Sequence, residues 1–262
     1  MLRWGLVLLF LGVVCLAQAQ LSSFPPGTFQ NRAALDATAG KGLQTSLSAF
    51  YSLETTSWTD DVGSNSLTGN GSPTVTTGIV GNGVNLVSAS SQFLSHANAA
   101  AFQLGNNFSI QVWVNLASNI TSDDFPLISK NDGGFSNREY GMGARFTSAN
   151  FWSFEIYDVG GTAANVVSSV NMTTGSWFHL VATFDGTTVK FYVNNNSPDT
   201  ITPSFSIPAS TSTFMIGHDG QDLGFVNGVI DQVGLWKGRV LTAGDVALLY
   251  NSGAGLSFAA MQ

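Results

Sequence analysis

The chain contains only three glutamates, Glu54, Glu139 and Glu155. Retaining hydrolysis of a glycosidic bond needs two carboxylates facing each other about 5 Å apart. Glu155 and Asp158 come nearest in sequence, but a separation of three puts them on opposite faces of a strand. His96, His179 and His218 are widely separated and show no ligand spacing. His179 alternates with Trp177 and Val181, as a structural histidine on a strand would. A Gly-x-Ser-x-Gly elbow, a His-Glu-x-x-His pair and a phosphate-binding glycine loop are all missing from the sequence. The chemistry these residues support is binding rather than bond breaking.

Asp231 is the carboxylate whose surroundings constrain it most. Val229, Asp231, Val233 and Leu235 fall on one face of a period-two strand, with Ile230, Gly234 and Trp236 on the other. An ionised acid among aliphatic neighbours needs a cation, several N–H donors or a proton. Lys237 and Arg239 are the nearest basic partners. The acidic stretches Asp60-Asp61, Asp123-Asp124 and Asp219 to Asp222 offer further oxygens, with solvated turns as the simpler reading.

These residues need a scaffold of strands. Phe108, Ile110, Val112, Val114 and Leu116 alternate with Ser109, Gln111 and Asn115, Trp113 being the exception, which predicts a half-buried strand. Phe178, Leu180, Ala182 and Phe184 repeat the pattern. Asp185-Gly186 then predicts a two-residue turn of the primed type, and Val189, Phe191 and Val193 return antiparallel. After the Asp231 strand, Thr242 and Asp245 have the spacing of a capping box, opening a short helix that stops at Gly253. Only 10% of residues are charged, while small polar residues and phenylalanine are abundant, as many short strands joined by turns require. The net charge of -7, with nine Lys and Arg in all, excludes an electrostatic nucleic-acid binder.

Several segments carry a family resemblance. The closing stretch has Phe225, Gly228, Ile230-Asp231-Gln232-Val233, Leu241-Thr242 and Leu249-Tyr250-Asn251-Ser252-Gly253. This resembles the end of the laminin G-like jelly rolls of the concanavalin A-like lectin/glucanase superfamily. Residues 46–54, 81–94, 108–116 and 177–194 look like earlier strands of the same family, in the same order. The resemblance implies an all-β fold: an antiparallel β-sandwich, the concanavalin A-like jelly roll, with a short C-terminal capping helix. It spans residues 42–256, and the domain is placed at 42–257 with a tail at 258–262.

Members of this family often hold Ca²⁺ on the convex side. The resemblance puts Asp231, and with it Glu54, in the metal-binding role; backbone N–H donors or pairing with Lys237 or Arg239 are the alternatives for Asp231. It also implies carbohydrate binding, where an aromatic ring lies under the sugar and Asn, Asp or Arg groups surround it. Asn131, Asp132, Arg138, Tyr140, Trp152, Tyr157 and Asp158 supply such groups, although packing on neighbouring strands is the simpler reading for Trp152 and Tyr157.

Residues 1–19 have the features of a signal peptide: Arg3, an apolar run over 6–16, and Ala17-Gln18-Ala19 before Gln20. An uncleaved anchor is the alternative, but the run is shorter than the ~20 residues that span a bilayer. Residues 20–41, with Pro25-Pro26-Gly27, read as a linker or N-terminal arm. The single cysteine, Cys15, lies in the signal segment, so a cleaved chain has no disulfide and depends on its core. The expectation is a secreted or cell-surface non-catalytic module, with the periplasm as the alternative location, whose partner is a polysaccharide, a glycoconjugate or another surface protein. An inert structural or virion-type decoration protein is the first rival and a glycoside hydrolase the second. Five Asn-x-Ser/Thr sequons, at Asn70, Asn107, Asn119, Asn171 and Asn195, match the roughly four that chance supplies at this composition, so they do not mark a glycoprotein.

Overall fold

Alternating apolar residues become fifteen strands in the computed structural model, which describes residues 42–120, 126–131, 137–146, 150–220 and 224–262. Residues 1–41, read from the sequence as a signal segment and arm, lie outside the described residues, as do Asp123, Asp124, Asp132 and Asp222. The strands are β1 (Leu47–Tyr51), β2 (Thr68–Asn70), β3 (Thr74–Thr77), β4 (Asn82–Leu86), β5 (Phe93–His96), β6 (Phe108–Leu116), β7 (Ile128–Asn131) and β8 (Arg138–Phe146). There follow β9 (Asn150–Tyr157), β10 (Ala163–Asn171), β11 (Trp177–Phe184), β12 (Val189–Val193), β13 (Asp199–Ile201), β14 (Phe214–Ile216), β15 (Gly228–Lys237) and, as the one α-helix among the described residues, α1 (Ala243–Tyr250).

They form two antiparallel sheets. The eight-stranded sheet runs β13-β12-β11-β6-β15-β4-β3, with β1 also on β15, and the seven-stranded sheet runs β10-β9-β8-β7-β14-β5-β2. Phe108, Ile110, Val112 and Val114 from one sheet meet Tyr140, Met142, Trp152, Phe154 and Ile156 from the other in a continuous buried core. At about 1.5–3 kcal/mol for each large apolar side chain, this core can hold the domain without a disulfide.

The second face of β6 departs from expectation. Ser109, Gln111 and Trp113 are buried too, so the strand is covered on both sides. The cover is a smaller core in which Phe50, Val181, Trp236, Leu241, Val246, Leu249 and Met261 pack on the outside of the eight-stranded sheet. Residues 258–262 therefore belong to the domain: Phe258–Met261 forms a 3-10 turn, and the Phe258 ring sits 5.1 Å from that of Phe50.

Local signals held with small shifts. Thr242 and Asp245 form the reciprocal capping box, but α1 ends at Tyr250 because Asn251 takes the left-handed conformation (φ 47). The β11–β12 connection has two central residues, but they are Gly186 (φ 88) and Thr187, closed by the Asp185 N–H to Thr188 carbonyl bond. Asp185 contributes its side chain, which accepts from the Thr187 and Thr188 N–H groups.

The strict alternation predicted for β15 fails at one point. Asp231 pairs with Trp113 while Gly234 pairs with Gln111, so an extra residue bulges out, with Gln232 at φ 48. Ile230, Val233 and Leu235 consequently all reach the main core, although Ile230 has the opposite parity.

Candidate functional site

Asp231 lies wholly buried at this bulge, held by N–H groups. One oxygen accepts from the Ile79 and Val80 backbones at 2.9 and 3.0 Å; the other accepts from the Gln232 backbone at 2.7 Å and its side chain at 3.4 Å. Glu54 accepts from the Asn82 N–H at 2.9 Å, so two acids grip one tight turn, whose Gly78 N–H bonds the Gly81 carbonyl. Glycine is required at Gly78 because a Cβ there would run into the Asp231 carboxylate. Lys237 and Arg239 bond elsewhere, to the Ala100 carbonyl and to Gly42, Thr45 and Asp245.

A hard cation needs about six to eight oxygen ligands, and this shell is made of donors. Among the described residues no three acidic, His or Cys side chains gather at one point. The Asp231–Glu54 arrangement does not suit Ca²⁺, and the backbone alternative accounts for it. Above pH 7, where Asp231 is ionised, Asp231→Asn should therefore cost about 1–3 kcal/mol, because its NH₂ must face one pair of N–H donors. The melting temperature of the parent should not respond to chelator or to millimolar Ca²⁺; a calcium-dependent rise that Asp231→Asn abolishes would restore the metal.

The ligand-binding candidates divide between the two faces of the seven-stranded sheet. Trp152 and Tyr140 point into the sandwich, which removes them from any binding surface: the Trp152 ring packs 5.2 Å from Phe178, and the Tyr140 hydroxyl donates to the Phe102 carbonyl at 2.8 Å. Asp158 sits at the β9–β10 turn, where it accepts from the Gly160 and Thr162 N–H groups at 2.8 and 2.7 Å. Those bonds, Thr162 first, hold its carboxyl below the usual range, so it is a charged turn residue at the rim.

Asn131, Arg138 and Tyr157 do come together. β8 carries an extra residue opposite Lys130 and Asn131, since Lys130 pairs with Tyr140 and Asn131 with Arg138. Glu139 turns to Lys130 at 2.9 Å, while the Arg138 guanidinium lies 5.3 Å from the centre of the Tyr157 ring.

A row of residues crosses the outer face of this sheet beside them. In register across all seven strands lie Asn165, Glu155, Gly141, Ser129, Met215, Ser95 and Thr68. The next row has Val167, Ser153 and Gly143. Two glycines on β8 remove side chains from the middle of the face. Ser153 is fully buried there, and its hydroxyl has no hydrogen-bond partner among the described residues. Asn165 reaches Glu155 at 3.4 Å, and Ser129 donates to the His218 carbonyl at 2.9 Å.

The chain leaving β14 passes over the same face, bringing nearly buried His218 and Asp219. The His218 ring stacks 4.2 Å from Phe225 and 4.9 Å from Phe93, both partly exposed. Sequence reasoning missed Ser129, Ser153, His218 and the place of Glu155. The signal was available on β9, where Ser153 and Glu155 alternate with Trp152, Phe154 and Ile156 and mark the outward face. The three glutamates end at separate places: a turn, a buried ion pair and this outer face.

The fold is that of a lectin-like jelly roll. A family model of the concanavalin A-like lectin/glucanases superfamily matches residues 88–247, more than half the chain, and the protein belongs to that superfamily. Among solved structures, Domain 4 of AbnA, a GH43 extracellular arabinanase from Geobacillus stearothermophilus, in complex with arabinotriose, is similar at 17% identity. The match covers 80% of this chain and 98% of that one, with a TM-score of 0.63. The binding domain of Paraclostridial Mosquitocidal Protein 1 matches at 16% identity and TM-score 0.65, covering 80% of this chain and 53% of that one. The binding domain of Botulinum Neurotoxin DC in complex with SialylT matches at 14% and 0.59, covering 80% and 52%. The chain thus spans about half the length of these two toxin domains. At such identities the likeness is one of fold. No curated protein matches the chain by sequence. Among the described residues no helix is long and apolar enough to cross a membrane.

Proposed function

We propose that this protein is a secreted or cell-surface, non-catalytic module that binds carbohydrate on the outer face of its seven-stranded sheet. The observation that carries the reading is the Ser153 hydroxyl, buried and without a partner among the described residues, in register with Gly143. A buried hydroxyl without a partner costs about 1–3 kcal/mol, which a ligand hydroxyl or a water would relieve. Arg138, Asn131, Glu155 and Asn165 bring donors and acceptors to the same sheet, and partly exposed Phe93 and Phe225 supply apolar ring surface. The arabinotriose complex of the arabinanase domain and the signal-like segment at 1–19 support the same reading. The separate placement of the three glutamates favours binding over hydrolysis.

A glycan array probed with the full chain tests this directly. Micromolar binding to a defined set of glycans is expected, and Arg138→Ala should weaken it by about tenfold or more. Lys190→Ala, on β12 of the other sheet, should leave it unchanged. Failure to bind any glycan would sink the proposal and favour an inert surface or decoration protein.

A further inference from the structure

We infer that the sugar-stacking subsite of this face is the ring cluster of Phe93, His218 and Phe225 at its β5–β2 end, and that it takes pyranose rather than furanose rings. The inference rests on the carbohydrate reading above. Exposure points to this end. The outward positions Gly141, Gly143, Ser153 and Glu155 on β8 and β9 are buried, whereas Thr68 on β2 is exposed and Asn70, Phe93, Ser95 and Phe225 are half-buried. His218 and Phe225 pair across an antiparallel bridge, with the Val226 N–H donating to the Gly217 carbonyl at 3.0 Å. Their rings are stacked within 3° of parallel, 4.2 Å apart. Phe93 is inclined 52° to Phe225, with ring centres 6.0 Å apart, and lies 4.9 Å from His218. Rings at these separations touch one another, so a sugar lies against their solvent-reaching surface and not between them.

Polar groups border these rings. Asn70 pairs with Phe93 in register, and its Nδ2 donates to the Ser95 hydroxyl oxygen at 2.9 Å and to the Thr68 carbonyl at 3.1 Å. That leaves Asn70 Oδ1 as an acceptor and the Ser95 O–H as a donor. His218 is 5% exposed, and its Nδ1 lies 2.9 Å from the Gly224 carbonyl, with the Asp219 carboxylate 3.8 Å away on the same side. A carbonyl can only accept, so Nδ1 carries a proton. Nε2 has no hydrogen-bond partner among the described residues. A sugar hydroxyl both donates and accepts, and so can meet Nε2 in either charge state of the ring. Gluco-, xylo- and galacto-configured pyranoses have a ring face made of C–H bonds, with hydroxyls around the rim. Such a face matches an apolar ring surface edged by Asn70, Ser95 and His218. A furanose is smaller and puckered, and covers less of the rings.

Titration calorimetry of the full chain tests both halves, using pyranose oligomers from cellulose, xylan and galactan against furanose oligomers from linear arabinan and inulin. At least one pyranose series should bind about tenfold or more tighter than either furanose series. Phe93→Leu and, separately, Phe225→Leu keep apolar bulk but lose the flat ring, and each should weaken that binding by about fivefold. Phe93→Tyr and Phe225→Tyr keep the ring and should retain it. Phe151→Leu, at a half-buried ring on β9, should leave it unchanged. The pyranose-against-furanose comparison uses the unaltered chain, so it stands even where a variant misfolds. Full binding in both leucine variants, or an equal loss in Phe151→Leu, overturns the subsite. Furanose binding equal to or tighter than pyranose binding overturns the ligand class. Both results leave carbohydrate binding itself intact, whereas absence of binding to every glycan overturns that reading as well.

Discussion

Lys130→Met should lower the stability of the domain by about 3–5 kcal/mol, as expected when one partner of a buried ion pair is removed. The ammonium group is completely buried and donates to Glu139 at 2.9 Å, the Ser210 hydroxyl at 2.9 Å, and the Ser210 and Ser212 carbonyls at 3.2 and 3.3 Å. Glu139 accepts in addition from the Ser210 N–H at 2.7 Å and its hydroxyl at 2.9 Å. Met fills the volume of the lysine stem but leaves the Glu139 charge with hydrogen bonds and no countercharge. The double variant Lys130→Met/Glu139→Gln removes the charge as well and should regain most of the loss. Urea unfolding measures both; a single-variant cost below about 1 kcal/mol would mean that the pair is hydrated. The cluster ties residues 210–212 to β7 and β8, the strands that carry Asn131 and Arg138. Glycan affinity should therefore fall in the single variant and return in the double.

Nothing in the sequence Ile128-Ser129-Lys130-Asn131 announces that cluster. A lysine on a strand ordinarily reaches water, and this one is buried because residues 210–212, eighty positions later, bring acceptors to it. Chain-local features were legible: the apolar face of β6, the capped helix after β15, and the order of the family's strand segments. What depended on a break in register was not. The bulge at Gln232 puts Ile230 and Val233 on the same side, and the bulge at Glu139 delivers Arg138 to the face of Tyr157. An inserted residue leaves no compositional mark in either strand. Trp152 and Tyr140 were misplaced for a different reason. Their aromatic character suggested sugar contact, while their alternation with Ser153, Glu155 and Gly141 already assigned them to the inner face. Parity was the better guide than residue type. The second core was hidden as well, because Ser109 and Gln111 read as solvent-facing until α1 and the Phe258–Met261 turn cover them.

The same covered face carries an expected pH dependence with two opposed parts. His179, Trp113 and Asp231 lie in register on three adjacent strands. His179 is fully buried, its Nε2 lies 3.1 Å from Gln111 Oε1, and its ring stacks 4.8 Å from Trp113. Burial pulls its pKa from 6.5 down to about 3. Below pH 6.5 the unfolded chain takes up a proton that the folded one refuses, so this group makes the protein less stable as pH falls. Asp231 acts in the other direction: burial raises its pKa from 3.8 to about 7 against the pull of the Val80, Gln232 and Ile79 N–H groups. Above pH 3.8 the unfolded chain releases a proton that the folded one keeps, so stability is lost as pH rises towards 7. Each slope is about 1.4 kcal/mol per pH unit, and between pH 4 and 6.5 they should nearly cancel. Unfolding free energies of the parent should thus be almost level across that window. Asp231→Asn leaves the histidine slope alone and should lose about 3 kcal/mol on going from pH 6.5 to 4, whereas His179→Gln should gain about as much over the same interval. Should Asp231→Asn give a level profile, His179 must take up its proton inside the fold, and the cover provided by α1 would have to open at acid pH.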